Sequence, residues 1–221
     1  MNQTALIIIK SMGIGDLVIL IANIHAISKF LNKKIVVLAQ KNTRASEVLK
    51  YDPYVSEVID LPRKGIFNTI KKIKPKHFEQ SYIYSDSLRL YLISKLSDIK
   101  EILNYKFFSK KGKNFFRTAN EFTNKIVNEE IDHQSKILWN IDKIEEARKK
   151  FNISNKKKNI VCGISASGPT KRWDIKNYIK LFENLNIKFP CKFFTLILLE
   201  QEETIIMETN NNFFIAYNIY S

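Results

Sequence analysis

The chain has 221 residues, 45% hydrophobic and 26% charged, which excludes a disordered or fibrous protein and suffices for one large domain or two modest ones. Its 36 lysines and arginines against 22 acids give a formal charge of +14, which calls for an acidic partner: nucleic acid, an anionic membrane surface or a phosphorylated substrate. The two cysteines, Cys162 and Cys191, have neither metal-ligand nor disulfide-framework spacing, as expected of a reducing cytosol.

The first apolar run, Ala5-Leu6-Ile7-Ile8-Ile9, is too short for a secretory core or a membrane span, and within it 6–9 reads as a buried parallel strand. A helix over 16–30 follows, its apolar stretch broken by Asn23 and His25. A strand over 35–38, a short helix over 43–50 and, past the Asp52-Pro53 turn, a strand over 55–61 complete an alternation that predicts an α/β unit with a parallel sheet. From 63 to 135 the pattern is weaker. A strand over 81–84 and a helix over 87–96 are legible, while 105–117 mixes lysines with four phenylalanines as a solvated face over a core does. An amphipathic charged helix over 142–151 runs into the polar, lysine-rich stretch 152–159, which reads as a linker and divides the chain into 1–154 and 155–221. A second β/α pattern then begins: strand 160–164, helix 175–187, strand 193–199, acidic helix 201–208 and strand 213–216.

Two strand-to-helix loops carry candidate chemistry. In Lys10-Ser11-Met12-Gly13-Ile14-Gly15-Asp16 the glycines permit tight turning and close approach to a ligand, and Asp16 falls where the helix starts. A dinucleotide fingerprint needs a third glycine where Val18 stands, a Walker loop needs a Gly-Lys-Ser/Thr ending that is absent, and helix capping by Asp16 is the plain reading. The second loop is Ser165-Ala166-Ser167-Gly168-Pro169-Thr170-Lys171-Arg172-Trp173. Its three hydroxyls, the Lys171 charge, the Arg172 fork and the amides of the helix that follows suit a phosphate, with Trp173 packing the loop onto the sheet.

Together with Tyr51-Asp52-Pro53-Tyr54-Val55-Ser56-Glu57-Val58-Ile59, these loops occur in an order and spacing that resemble the ADP-heptose:lipopolysaccharide heptosyltransferases, glycosyltransferase family nine. The resemblance covers nearly the whole chain, and its middle is the least matched part. It implies a GT-B-like α/β fold of two Rossmann-like domains with parallel sheets. The N-terminal domain would be acceptor-side, and the C-terminal domain would bind the nucleotide sugar. It also implies an inverting, metal-independent transferase without a cofactor, moving a heptose-like sugar from a nucleotide diphosphate to a lipopolysaccharide or related cell-envelope glycan. The family's catalytic acid falls on Asp16 and its acceptor-side loop on Ser11, Met12, Gly13 and Gly15. Its donor-phosphate contacts fall on Ser167, Thr170 and Lys171, and its donor-ribose acid on Glu200.

Members of that family continue past the strand matching 213–216 into a helix and a glycine-rich loop that embraces the donor. This sequence ends at Ser221, so the resemblance implies an incomplete second domain: a truncated product, an enzyme completed by a second chain, or a non-catalytic nucleotide- or glycan-binding protein of the same fold. The lysines at 71, 72, 74, 76, 110, 111, 113 and 156–158 are scattered, without a helix-turn-helix, zinc or RNP-like signature, so no nucleic-acid partner is expected. A phosphorylated glycolipid acceptor explains them, with the protein cytoplasmic and in peripheral contact with the inner membrane. His25, His77 and His133 stand isolated and read as structural or exposed.

Overall fold

The computed structural model describes residues 5–10, 13–105, 114–153, 156–164, 173–197, 206–209 and 212–218. The chain forms two compact units, Met1–Asn140 and Ile141–Ser221. The sequence reading draws its boundary after the charged helix, at 154. In the structure that helix belongs to the second unit, where Lys192 Nζ donates to the carbonyls of Phe151 and Asn152 at 2.7 and 2.9 Å.

The first unit runs β1 (Ala5–Ile9), α1 (Ile14–Leu31), β2 (Ile35–Gln40), α2 (Ala45–Val48), β3 (Val55–Leu61), α3 (Ile66–Ile73), β4 (Gln80–Ile83), α4 (Leu88–Leu96), β5 (Glu101–Asn104) and α5 (Phe115–Val127). Its five strands are all parallel, in the order β3-β2-β1-β4-β5. Parallel strands covered on both faces need apolar side chains at every position, and β1 at the centre is buried throughout. Alternation splits it. Ala5, Ile7 and Ile9 join the core beneath α1, α2 and α5, whereas Leu6 and Ile8 join the core beneath α3 and α4.

Helix α1 is long and apolar enough by composition to cross a membrane, yet Leu17, Leu20, Ile21, Ile24 and Ile27 are buried in the hydrophobic core against the sheet. It ends at Asn32 in the left-handed conformation (φ 50°), whose amide donates to the Lys29 carbonyl. The polar positions in its apolar stretch are satisfied. Asn23 accepts from Thr123 Oγ1 of α5 at 2.6 Å, and Thr123 meets Tyr84 Oη at 2.7 Å.

The second unit holds α6 (Ile141–Lys150), β6 (Lys158–Gly163), α7 (Ile175–Lys188), β7 (Cys191–Ile197), β8 (Ile206–Thr209) and β9 (Asn212–Asn218). Its sheet has the order β6-β7-β9-β8, parallel except for β8, which pairs antiparallel with β9. The expected helix over 201–208 is corrected in part: Ile206–Thr209 is strand, held by pairing with β9, and 201–205 lie outside the described residues. A small core of Phe182, Cys191 and Phe193 joins α7 to β7, with the two phenylalanine rings stacked at 4.4 Å. Both cysteines are free thiols, and burial pushes the Cys162 thiol up from its ordinary pKa.

Candidate functional site

The chain enters α1 directly from the carboxyl end of the central strand. Asp16 is the third residue of the helix, half-buried in its first turn, and the residue at the N-cap is Gly13. The N-cap position thus carries no side chain, and the Asp16 carboxylate sits at the third helical position, among amides that lack intrahelical acceptors. A β-carbon built on Gly13 or Gly15 would meet no atom within 4 Å, and Gly13 has an extended backbone open to any residue (φ −163°). Nothing inside the described protein therefore demands glycine at either place. What the two glycines leave is bare backbone facing open space, which a ligand can approach.

The strand order locates this turn. The helices after β1 and β2 cover one face of the sheet, and those after β3 and β4 cover the other, so chain direction reverses between β1 and β4. In open α/β sheets the crevice at such a reversal, outside the carboxyl ends of the strands, is where ligands bind. Tyr84 N donates to Ile8 O at 3.0 Å, continuing the ladder to the end of β1 and placing the turn Ser85-Asp86-Ser87 across from Lys10. Ser85 is buried, and its Oγ accepts from Ser87 N at 3.2 Å. This second turn escapes sequence reading because nothing local in Ser-Asp-Ser distinguishes it from an ordinary helix start; only the pairing of β1 with β4, 75 residues apart, brings it to the crevice.

Cations flank the crevice. Lys10, Lys41, Arg63 and Lys64 are exposed at the carboxyl ends of β1, β2 and β3, and none is in an ion pair among the described residues. Lys41 and Arg63 line an open cleft of about 400 Å³ with Gln40, Asn42, Leu61 and Pro62. Arg89 of α4 shapes its rim by donating to the Pro62 and Arg63 carbonyls at 2.7 and 2.9 Å. A carboxylate at the centre and exposed cations on one flank suit a hydroxylated substrate that also carries phosphate or carboxylate groups.

The motif at 51–59 is architectural. Asp52 accepts from Tyr54 N at 2.9 Å and from the His25 ring at 2.7 Å, and the His25 ring lies 4.4 Å from that of Tyr54. His25 is therefore structural as expected, though partnered rather than isolated.

In the second unit, β6 and α7 flank the anion loop as expected, and Asp174 caps α7 by accepting from Lys176 N at 2.8 Å. Trp173 is half exposed, and its ring lies edge-on to Tyr178 of α7 at 5.0 Å. Ser167, Thr170, Lys171 and Glu200, like Ser11 and Met12 of the first loop, lie outside the described residues. Among the described residues no cluster of His, Cys, Asp and Glu is arranged to hold a metal ion.

No protein-family profile matches this chain, and no curated protein matches it in sequence. Solved structures do match in fold. A glycosyl transferase of family 9 from Veillonella parvula superposes with a TM-score of 0.68 at 12% identity, over 90% of this chain and 64% of the other. ADP-heptose lps heptosyltransferase II of E. coli gives 0.62 at 14% identity, over 89% and 65%. E. coli heptosyltransferase WaaC with ADP-2-deoxy-2-fluoro heptose gives 0.60 at 10%, over 89% and 70%. The fold is thus that of the GT-B glycosyltransferases, and the chain spans just under two thirds of the length of the first two of these structures.

Proposed function

We propose that this protein is a nucleotide-sugar-dependent glycosyltransferase of the heptosyltransferase kind, with a cell-envelope glycan bearing acidic groups as acceptor. The observation that carries this reading is the position of Asp16, at the topological switch point of a sheet whose fold matches structures of such enzymes, one of them with an ADP-sugar analogue. The bare backbone at Gly13 and Gly15 and the exposed cations Lys10, Lys41, Arg63 and Lys64 support it.

In this mechanism the Asp16 carboxylate accepts the proton of the acceptor hydroxyl as its oxygen bonds to the anomeric carbon. The bond from that carbon to the donor diphosphate breaks on the opposite side, so configuration inverts. The nucleoside diphosphate leaves with the bonding electron pair. Lys171 and the hydroxyls of Ser167 and Thr170 offset its growing charge without a metal, and Glu200 holds the ribose hydroxyls. The lipopolysaccharide acceptor and the cytoplasmic setting belong to the same proposal.

The test is transfer from ADP-heptose, and from other nucleotide sugars, to a deacylated phosphorylated core glycan. Wild type is expected to turn over and to be insensitive to a chelator. Asp16→Ala should lose about 10²- to 10⁴-fold in kcat with donor binding retained. Lys171→Ala should lose about a hundredfold, equivalent to about 3 kcal/mol of barrier. Wild type and Asp16→Ala that bind nucleotide equally and are equally inert would replace this reading with a non-catalytic binding protein.

A further inference from the structure

Helices α3 and α4 lie side by side on one face of the first sheet, each inner face buried in the core through Ile73, Leu90 and Ile93. Their outer faces are unusual. Leu88, Leu92 and Leu96 recur every fourth residue along α4 and are 63%, 39% and 50% exposed, and Phe67 at the start of α3 is 74% exposed. Spacing of four residues places the three leucines in one stripe, with Lys95 on the same side. The helices are tied at both ends. Arg89 bonds the carbonyls just ahead of α3, and Lys74 just after α3 pairs with Asp98 just after α4 at 2.9 Å. Phe67 and Leu88 thus stand at the same end of a shared surface, toward the carboxyl edge of the sheet where Asp16 lies.

The charges on this surface decide what covers it. Lys71 on α3 and Arg89 and Lys95 on α4 are basic, and neither helix contains an acidic residue; Lys72 lies on the β3 side of α3, where it lines a cleft with Glu57 and Asp60. Two copies pressed face to face would set these cations against each other. An anionic lipid surface offers the opposite charge to the rim and an acyl boundary to the apolar stripe. We propose that the α3–α4 face docks the protein on an anionic phospholipid bilayer, with Phe67, Leu88, Leu92 and Leu96 entering the interface and Lys71 and Lys95 meeting headgroup phosphates. This proposal is independent of the transfer chemistry.

Sedimentation of the full chain with vesicles tests it, using phosphatidylcholine alone or with about 30% phosphatidylglycerol. Binding to the anionic vesicles is expected, falling steeply in about 0.5 M salt, where charges are screened within a few ångströms. The variant Phe67→Ser/Leu92→Gln should bind at least about tenfold more weakly, since two large side chains no longer enter the interface. Lys71→Gln and Lys95→Gln should each cost about fivefold. Phe30→Ser, at an exposed site on α1, on the other face of the sheet, should bind as wild type does. Circular dichroism and the urea midpoint establish that each variant is folded. Wild type that ignores anionic vesicles, folded variants that bind undiminished, or a wild-type dimer in sedimentation equilibrium that Leu92→Gln dissolves would each overturn the proposal.

Discussion

Asp52 is almost fully withdrawn from solvent, and its two oxygens are divided between a backbone amide and an imidazole from a helix 27 residues earlier. Replacing it with alanine strands the Tyr54 amide and the His25 ring together, which should cost about 1–3 kcal/mol in the urea unfolding free energy. The buried tyrosines make a different prediction. Burial foremost, and then the negative Glu101, push Tyr82 up to about 12 from an ordinary 10.0, and burial raises Tyr84 and Tyr105 as well. A tyrosine that holds its proton more tightly when folded contributes stability in full below the unfolded value, near 10, and loses it as pH climbs toward 12. The urea midpoint should therefore fall across that alkaline window, and Tyr82→Phe should make the fall shallower. Single residues of this kind are poorly legible in sequence: His25 reads as isolated because its partner is set by tertiary packing alone.

Helix α5 shows why part of the fold escapes sequence reading. Its inward side mixes Phe115, Ala119, Phe122 and Ile126, which pack on the core at helical spacing, with the buried polar residues Thr118, Asn120 and Thr123, so the apolar stripe is interrupted. A polar tie adds to that packing: Thr123 bridges Asn23 of α1 and Tyr84 beyond β4 while bonding its own helix at Ala119 O, 3.0 Å away. Thr123→Val keeps the shape and leaves two interior polar groups short of a partner. It should lower stability by about 2–4 kcal/mol on denaturant titration, with α5 amides exchanging fastest. By contrast β3 is read to the residue from its sequence, because Asp52-Pro53 and Pro62 punctuate a β-branched run, and β1 is read from its unbroken aliphatics one residue short at its start. β8 is misread for the reverse reason: Ile206 to Thr209 has helix-compatible composition, and only its neighbour β9 makes it a strand.

At the scale of the molecule, the first unit buries apolar side chains on both sides of its sheet using its own helices. A fragment of residues 1–140 should therefore fold cooperatively by itself, with dispersed amide resonances and a single urea transition. An unfolded or aggregated fragment would show that it depends on residues 141–221. The crevice was half legible: Asp16 and its glycines announce themselves in the sequence, but the cationic flank comes from three separate strand ends that only the order β3-β2-β1-β4-β5 gathers along one edge.

That same order bears on how the protein is made. The one strand of the first sheet that is aliphatic throughout is synthesised before the others of that sheet, acquires one neighbour at Ile35–Gln40, and waits for the other until Gln80–Ile83. At ribosomal speed the wait from Gln40 to Ile83 lasts about two to nine seconds, with an unpaired edge open beside the nascent chain's stickiest segment. A trigger-type holdase at the exit tunnel would find its natural grip there, and crowded polysomes would find their natural route to aggregation.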